Sequence, residues 1–290
     1  MEMITSNKNE KIKNIQALLK LKKERDRQGV FVIEGLRIFK DTLETAPEYI
    51  EAVFVSESFF ATDAMQEIKE NILKPGITQY KISDKITVAK DSVFESISQT
   101  VTPQGIMSIV RKPEYNLKKI MSTNIISGCS EISDGYHIEK GTCQRKKLLL
   151  LENIQDPGNL GTMLRTAEAA GISGIIMSRD CADIFSPKVV RSTMGSIFRM
   201  PFYYAEDFYS AIETLKADAV TVYAAYLHGG IPYTEVTYTE KIAIMIGNEG
   251  NGLSEEAVTK ADKRIYIPMA GKIESLNAAV AAAILMYNLR

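Results

Sequence analysis

The order of hydrophobic and polar residues divides the 290-residue chain into two patterned stretches. The first opens with an amphipathic segment that predicts a helix ending at Gly29. Its apolar positions, three or four residues apart, are Ile12, Ile15, Leu18, Leu19 and Leu21. Short β-branched runs at 30–35, 51–58 and 105–112 predict strands, with helical spacing between them. Residues 1–112 are therefore predicted to form a small α/β domain.

The second stretch, residues 148–290, alternates the signals of buried strands and helices. Leu148–Leu151 is a continuous apolar run, as a strand covered on both faces requires. Later strands are predicted at 174–178, 219–223 and 242–246. Such alternation predicts an α/β domain with a mostly parallel sheet and helices on both faces.

Two segments depart from these patterns. Residues 113–147 have no sustained period and are rich in Ser, Gly and charge, which predicts a linker or insert. The chain ends with IPMAGKIESLNAAVAAAILM, a short loop followed by an alanine-rich helix for which Ser275 is a natural N-cap. Because this helix has no polar face, it is predicted to be buried on all sides.

Composition is that of a globular protein, with 45% hydrophobic and 24% charged residues. No apolar run reaches the roughly 18 residues of a membrane span, and Met1–Glu10 is too polar for a signal peptide. Three cysteines leave one unpaired in any disulfide scheme, which favours a reduced, cytoplasmic protein. Cys129, His137 and Cys143 lack the short spacing of zinc ligands, so no metal site is predicted.

A net charge of −1 argues against wholesale non-specific binding of nucleic acid. The charge is uneven, because residues 1–27 carry eight Lys/Arg against four Asp/Glu, a local +4. This run is either a solvated helix face or a phosphate-contacting surface, and composition alone does not decide between them.

The segment ENIQDPGNLGTMLRTAEAAG (152–171) follows the first strand of the second domain. Asp156 is predicted to cap a helix that begins at Pro157. Asn159 and Arg165 then lie off its apolar face, near the sheet edge where open α/β folds bind ligands. The alternative is an ordinary surface pair of Arg165 with Glu168, three residues later.

A second polar turn, IMIGNEGNGLSEE (244–256), follows another predicted strand. Its glycines, Gly247, Gly250 and Gly252, match neither the dinucleotide fingerprint nor the phosphate loop. Glycines here allow close approach of the backbone to a ligand, and Asn248 and Glu249 add polar groups. A tight turn before a helix would have the same sequence.

Together, QDPGNLGTMLRTA, GNEGNGLSEE and IPMAGKIESLNAAVA closely resemble the three motifs of the SpoU/TrmH group of RNA ribose methyltransferases, in the SPOUT superfamily. The resemblance covers about residues 145–290. The amino-terminal QGVFVIEGLRIFKDTLE resembles, more loosely, the ribosomal-protein-like substrate-binding domain of many members, over 4–112. It implies a catalytic SPOUT domain whose carboxyl-terminal helix is threaded into a deep trefoil knot. It also implies a homodimer whose active site is completed across the interface. The sequence departs from the family pattern mainly at residues 122–147, where the connection is longer than usual.

The same resemblance implies S-adenosylmethionine as methyl donor and a ribose 2′-hydroxyl of RNA as acceptor. By motif position, the donor contacts Gly247, Ile267 and Leu276, with Met269 nearby. The polar active-site positions of the family correspond to Asn159, Arg165, Glu249, Ser275 and Asn277.

Roles follow from the chemistry of these side chains. The guanidinium of Arg165 is always protonated, so it is expected to grip the adjacent phosphate and stabilise the developing alkoxide. Asn277 and Ser275 are expected to orient the ribose or Arg165, and Glu249 to hold Arg165 in place.

Two further groups have open interpretations. Lys188, Arg191 and Arg199 lie in the segment between the first two motifs and either reach the RNA backbone or are solvated helix charges. An aromatic cluster could stack bases, although its spacing favours core or dimer interface. Its members are Tyr203, Tyr204, Phe208 and Tyr209.

The favoured function is methylation of rRNA, because the amino-terminal domain type is associated with structured rRNA elements. Methylation of tRNA is the alternative within the class, and a non-catalytic RNA-binding protein on the same fold is a second hypothesis. A nucleotide-binding oxidoreductase or NTPase is disfavoured because neither glycine fingerprint is present. Neither DNA nor a membrane is expected as a partner.

Overall fold

The computed structural model describes residues 3–122 and 146–289. It forms two compact units. The first consists of residues up to Glu114 together with Asp183–Phe198, and the second consists of Tyr115–Ala182 and Arg199 onward.

In the first unit, a five-stranded sheet has the order β1-β4-β3-β5-β2. Its strands are β1 (Met3–Ile4), β2 (Val30–Glu34), β3 (Ile50–Ser56), β4 (Ile86–Ala89) and β5 (Ile106–Arg111). Strand β5 is antiparallel to both neighbours, whereas β3 pairs in parallel with β4, and β4 with β1. The carboxyl ends of β1 to β4 and the amino end of β5 therefore lie at one edge.

Six helices belong to residues up to Glu114 in this unit: α1 (Glu10–Lys20), α2 (Lys22–Gln28), α3 (Leu36–Thr45), α4 (Glu57–Phe60), α5 (Asp63–Ile72) and α6 (Asp91–Glu95). The predicted first helix exists as two, α1 and α2, which meet at Leu21. Gly29 ends α2 in the left-handed conformation (φ 67°), as its position predicted. The apolar face of α1 packs into the core with Phe54 and Phe94.

The segment Asp183–Phe198, which includes α9 (Pro187–Thr193), packs within the first unit although it follows the second unit's strand β7 in sequence. Arg25, only 4% exposed, forms an ion pair of 2.5 Å with Asp183. The ring centroids of Phe31 and Phe185 lie 5.0 Å apart, and those of Phe31 and Phe198 5.8 Å apart. The predicted second domain, continuous over 148–290, therefore differs from the second compact unit in this segment.

The second unit contains a seven-stranded sheet of order β10-β12-β9-β11-β6-β7-β8. Its strands are β6 (Lys146–Leu151), β7 (Gly174–Met177), β8 (Phe202–Tyr204), β9 (Thr221–Ala225), β10 (Ile231–Pro232), β11 (Lys241–Ile246) and β12 (Lys263–Tyr266). All neighbouring pairs are parallel. The predicted parallel α/β fold is confirmed.

Helices cover the sheet of the second unit: α7 (Leu117–Ser122), α8 (Pro157–Ala169), α10 (Phe208–Ala217), α11 (Glu255–Lys260) and α12 (Ala278–Tyr287). Helices α10 and α11 share one core with Leu148, Leu150 and Met245. Helix α12 packs against α8 and β11. The deep trefoil knot stays a prediction, with which this packing is consistent.

Two predictions about the carboxyl-terminal helix are wrong. Helix α12 is not buried on all sides in the single chain, because Val280 and Tyr287 remain 49% and 43% exposed. Its N-cap is Asn277 and not Ser275, since Asn277 Oδ1 accepts hydrogen bonds from the N–H groups of Ala279 and Val280. The helix therefore starts two residues later than Ser275 would allow.

The predicted linker overlaps regular structure at both ends. Helix α7 lies within it, and β6 begins at Lys146, two residues earlier than predicted. Helix α7 is anchored because Ile120 is fully buried in the core of the second unit. Cys129, His137 and Cys143, on which the metal and cysteine predictions rested, lie outside the described residues.

Candidate active site

The candidate site lies where β6, β9, β11 and β12 end, at the carboxyl edge of the parallel sheet. After β6, Asp156 accepts a hydrogen bond from Asn159 N–H (2.8 Å), and Pro157 occupies the first helical position of α8. This N-terminus was predicted from the local sequence and is confirmed. It places Asn159 in the first turn of α8.

Three loops meet at this edge through a chain of side-chain hydrogen bonds. Asn159 Nδ2 donates to Glu249 Oε1 (3.0 Å), and Asn277 Nδ2 donates to Asn159 Oδ1 (3.0 Å). Asn277 also caps α12, so its orientation is fixed from both sides. The structure thus joins three of the five predicted catalytic residues, one from each motif.

The carboxylate of Glu249 fastens its own loop to the start of α8. It accepts hydrogen bonds from the backbone N–H groups of Gln155 (3.2 Å) and Asp156 (3.0 Å), besides Asn159. Partial burial raises the pKa of Glu249, but the hydrogen bonds from Asn159 and from backbone N–H groups outweigh it and leave the pKa below its ordinary value. Glu249 therefore carries its negative charge at neutral pH, and its hydrogen bonds give it a structural role.

We expect Glu249→Gln to lower the melting temperature at pH 7 by about 2–4 °C, the shift that follows a loss of about 1 kcal/mol in a domain of this size. A lowered carboxyl pKa stabilises the fold above its unfolded value, and this stabilisation is lost as the pH falls through the folded pKa. The difference between wild type and Glu249→Gln should therefore shrink below about pH 4.5. Calorimetry from pH 3 to 7 measures it, and a difference independent of pH would contradict the account.

Arg165 and Ser275 do not join this chain of hydrogen bonds. Arg165 is exposed on α8 and forms no hydrogen bond or ion pair with any residue that the structure describes. The alternative pairing with Glu168 is wrong, because the Glu168 carboxylate pairs with the guanidinium of Arg199. Glu249 was expected to hold Arg165, but its oxygens hold Asn159 and the backbone instead.

The predicted donor-binding residues occupy neighbouring loops at the same edge. Gly247 directly follows β11, and Ile267 directly follows β12, two strands or about 10 Å away across β9. Ile267, Met269 and Leu276 are half-buried, so they present apolar surface in the loop that follows β12. Because apolar side chains beside glycine backbone suit a flat purine, these residues fit S-adenosylmethionine.

Gly247 has no room for a side chain. A methyl group there would overlap the backbone of Gly252 and Leu253, where the loop folds back and Asn248 and Gly252 exchange backbone hydrogen bonds of 3.0 and 2.9 Å. This close return of the chain shapes the wall of the predicted donor site.

We therefore expect Gly247→Ala to open the 247–253 loop and to weaken binding of S-adenosylmethionine at least tenfold, since overlap with backbone cannot be relieved by a side-chain rotation. Isothermal titration calorimetry gives the affinity. The control is Gly271→Ala, because a methyl group at Gly271 meets no atom within 4 Å. Equal affinities of the two variants would show that the loop does not form the donor site.

Sequence reasoning missed Glu152, which immobilises the opposite side of the 247–253 loop. This buried carboxylate accepts hydrogen bonds from Ser254 N–H (2.8 Å), Ser254 Oγ (2.7 Å) and the hydroxyl of Tyr209 (2.9 Å). Its only sequence signal is its place directly after the Leu148–Leu151 run. The sequence identified Asn248 as a polar group of the 244–256 turn but did not predict its partner. Its Nδ2 donates to the Asn153 carbonyl (2.8 Å), which joins two loops.

All four aromatic residues that are candidates for base stacking have structural contacts, and Tyr203 packs against the core of the second unit. Phe208 is buried in the core, Tyr204 donates to the Ala182 carbonyl (2.5 Å) and Tyr209 donates to Glu152.

Cys181 is buried and accepts a hydrogen bond from Ile154 N–H (3.3 Å). Burial raises the pKa of this thiol, so it is no candidate nucleophile.

Two other kinds of site are absent from the part of the chain that the structure describes. No group of His, Cys, Asp or Glu side chains there could hold a metal ion. No described helix is long and apolar enough to cross a membrane.

Comparison with known proteins agrees with this geometry. The model of the SpoU rRNA Methylase family matches residues 146–287, and that of the MRM3-like substrate binding domain matches residues 9–108. The 23S rRNA (guanosine(2553)-2′-O)-methyltransferase RlmP of Bacillus subtilis is 34% identical over 290 residues and is aligned over the full length of both chains. Human mitochondrial rRNA methyltransferase 3 is 28% identical over 96% of this chain and 71% of its own length. The AdoMet-bound rRNA methyltransferase of Sinorhizobium meliloti superposes with a TM-score of 0.76 at 29% identity, over 99% of this chain and 96% of that one.

The parallel α/β sheet, the hydrogen bonds that join its three polar loops and the two family matches together identify an RNA methyltransferase. The chain belongs to the SpoU rRNA methylase family, as its motifs predicted. It is an enzyme that uses S-adenosylmethionine to methylate a ribose 2′-hydroxyl of RNA, which confirms the predicted reaction and cofactor.

Proposed function

We propose that the substrate is ribosomal RNA, with large-subunit rRNA as the first candidate, and that the Glu249–Asn159–Asn277 chain forms the floor of the active site. The observation that carries the assignment of the site is this hydrogen-bonded chain, which links all three motif loops at one sheet edge. The choice of rRNA is supported by the full-length similarity to RlmP, whose name specifies a 23S rRNA guanosine.

The reaction requires that the 2′-hydroxyl be held in line with the methyl group and lose its proton. S-adenosylmethionine, when bound, supplies an electrophilic methyl group. Asn159 and Asn277 present amide groups whose positions are already fixed, so they orient the ribose without reorganisation. Ser275, exposed in the loop before α12, adds a hydroxyl that contacts the ribose.

Arg165 grips the phosphate beside the target ribose and stabilises the negative charge that develops on the 2′-oxygen. Its exposure and its lack of an ion-pair partner among the described residues leave the guanidinium available for RNA. Glu249 acts indirectly, by holding Asn159 and the start of α8 in place.

A homodimer completes this site. Val280 and Tyr287 leave an apolar strip exposed on α12, which a second copy of the chain would cover. Dimerisation through α12 would bring Arg165 of a second copy to the Asn159–Asn277 floor, which Arg165 does not reach by hydrogen bonding within its own chain.

The test is transfer of labelled methyl from S-adenosylmethionine into unmodified rRNA and, separately, unmodified tRNA. Alkaline hydrolysis follows, because a 2′-O-methyl group blocks cleavage at its own nucleotide. Label in rRNA that resists cleavage is the expected result. Label confined to tRNA would overturn the choice of rRNA, and cleavable label would overturn the assignment of the 2′-oxygen.

A further inference from the structure

One buried residue holds both ends of the 247–253 loop. Glu152 directly follows β6 and is only 7% exposed. Its backbone N–H donates to the carbonyl of Ile246 (2.9 Å), the residue before the loop. Its carboxylate accepts hydrogen bonds from the N–H (2.8 Å) and the hydroxyl (2.7 Å) of Ser254, the residue after the loop. Glu152 therefore fixes the two ends of the loop relative to β6.

The carboxylate of Glu152 is itself held in place by a tyrosine. The hydroxyl of Tyr209, in α10, donates to Glu152 Oε1 (2.9 Å) and lies 3.2 Å from Ser254 Oγ. With three donors on one buried carboxylate, a movement of any partner would leave a polar group without its hydrogen bond. The end of β6, the start of α10 and the end of the loop therefore form one hydrogen-bonded unit.

The 247–253 loop belongs to both halves of the proposed active site. Gly247, at its start, lies at the predicted donor site and has no room for a side chain. Glu249, two residues later, accepts the hydrogen bond from Asn159 Nδ2 (3.0 Å). A displacement of the loop would therefore disturb the donor site and the floor of the active site together.

A cavity of about 570 Å³ borders this loop. Its walls are the segments that follow β6, β7, β8 and β11, and they include Glu152, Tyr209, Asn251 and Leu253. In the sheet, β7 and β8 lie on the opposite side of β11 from β12, so the loop lies between the cavity and the predicted donor residues that follow β12. The cavity leaves the loop room to move towards β7 and β8, and the hydrogen bonds of Glu152 oppose that movement.

We propose that Glu152 is a positioning residue for methyl transfer, which acts through the 247–253 loop. By holding Ser254 it keeps Gly247 where the donor binds, and it keeps Glu249 where Asn159 needs its partner. Groups that are fixed in advance are effective because they need no reorganisation during the reaction. The inference rests on the proposed function, because it assumes that the donor binds beside Gly247 and the ribose beside Asn159.

The first variant is Glu152→Gln, which keeps the size of the side chain but replaces an acceptor oxygen by an amide NH2 that faces other donors. We expect Kd and KM for S-adenosylmethionine to rise about tenfold, because a buried hydrogen-bonding group loses its partner and the loop shifts. The value of kcat should also fall, since Glu249 shares the loop, whereas KM for rRNA should stay within about twofold of wild type. Isothermal titration calorimetry measures Kd, and steady-state methyl transfer by the full-length protein measures both KM values.

This pattern distinguishes positioning from a loss of stability. A variant that was only less stable would contain less active enzyme, which lowers kcat but changes neither Kd nor either KM. An equal rise in KM for rRNA and for S-adenosylmethionine would assign Glu152 to RNA binding and overturn the inference.

Tyr209→Phe removes one hydroxyl and keeps the ring, so it tests the same unit even if Glu152→Gln fails to fold. It should raise Kd for S-adenosylmethionine about threefold. Added to Glu152→Gln, it should weaken binding little further, because both changes break the same hydrogen-bonded unit. The matched control is Glu255→Gln, an exposed carboxylate directly after Ser254, which should keep the wild-type Kd.

The calorimetric measurement uses S-adenosylmethionine alone, so it decides the inference even if rRNA proves not to be the substrate. An unchanged Kd in Glu152→Gln and Tyr209→Phe, with weakened binding in Gly247→Ala, would overturn the inference and leave the donor site where it is proposed. An unchanged Kd in all three variants would overturn both. Equal weakening in Glu255→Gln and Glu152→Gln would assign the effect to lost negative charge and not to the loop, which also overturns the inference.

Discussion

Arg165→Ala is expected to lower kcat of methyl transfer by about 10²–10⁴-fold while leaving the melting temperature within about 1 °C of wild type. Removal of one preorganised group that stabilises transition-state charge costs about 10²–10³-fold, and a lost phosphate contact adds to it. The fold should tolerate the change, because Arg165 is exposed and bonds to no described residue. Arg165→Lys should also be impaired, because an ammonium cannot replace a bidentate guanidinium. Single-turnover transfer to rRNA measures both.

The control is Thr162→Ala, an exposed position one turn earlier on α8, which should retain wild-type kcat. A comparable loss of kcat in the two variants would mean that kcat depends on the surface of α8 in general and not on the Arg165 guanidinium.

Mixing the Arg165→Ala variant with the Asn277→Ala variant tests whether the active site spans two chains. If it does, mixed dimers contain one intact site each, and equal mixing with free exchange restores activity to about a quarter of wild type. No recovery would place Arg165 and Asn277 of one site on the same chain.

Local signals predicted the elements that depend on neighbouring residues. Asp156 and Pro157 start α8 where capping chemistry requires, and the Leu148–Leu151 run lies in β6, an interior strand of the sheet. Strand β4 was missed because Ile86–Ala89 is only four residues long and lies beside two 3₁₀ turns. Short edge segments such as β10 have even less pattern to detect.

Contacts that depend on the order of strands could not be predicted from the sequence. Asn159 and Glu249 are 90 residues apart, and Asn277 and Asn159 are 118 apart, yet both pairs share a hydrogen bond. The family motifs indicated that these three residues belong to one site, whereas the expected contact of Glu249 with Arg165 is not made within the chain that the structure describes. Motif position identifies which residues gather, whereas hydrogen-bond geometry decides which of them touch.

Arg25 shows this limit most clearly, because the charge run at 1–27 was predicted to be either a solvated helix face or a phosphate-contacting surface. Its side chain instead donates to the Leu18 carbonyl (2.6 Å) and to Asp183, which is 158 residues away and only 14% exposed. Arg25→Ala should destabilise the first unit by about 3–5 kcal/mol, because it leaves a carboxylate without its partner in a largely buried place. Urea unfolding followed by circular dichroism measures this.

Arg27→Ala supplies the comparison, two residues along the same helix. The Arg27 side chain is 64% exposed in its ion pair with Glu24, so this pair contributes little to the free energy of unfolding. If both variants lose the same stability, the Arg25–Asp183 pair does not hold the 183–198 segment.

The double variant Arg25→Met/Asp183→Leu should recover most of the stability that Arg25→Ala loses, because an apolar pair of similar volume needs no charge partner. Recovery would show that Arg25→Ala destabilises the protein because it leaves the Asp183 carboxylate without its partner. A double variant as unstable as the single one would instead assign the cost to the Leu18 carbonyl, which neither methionine nor leucine can satisfy.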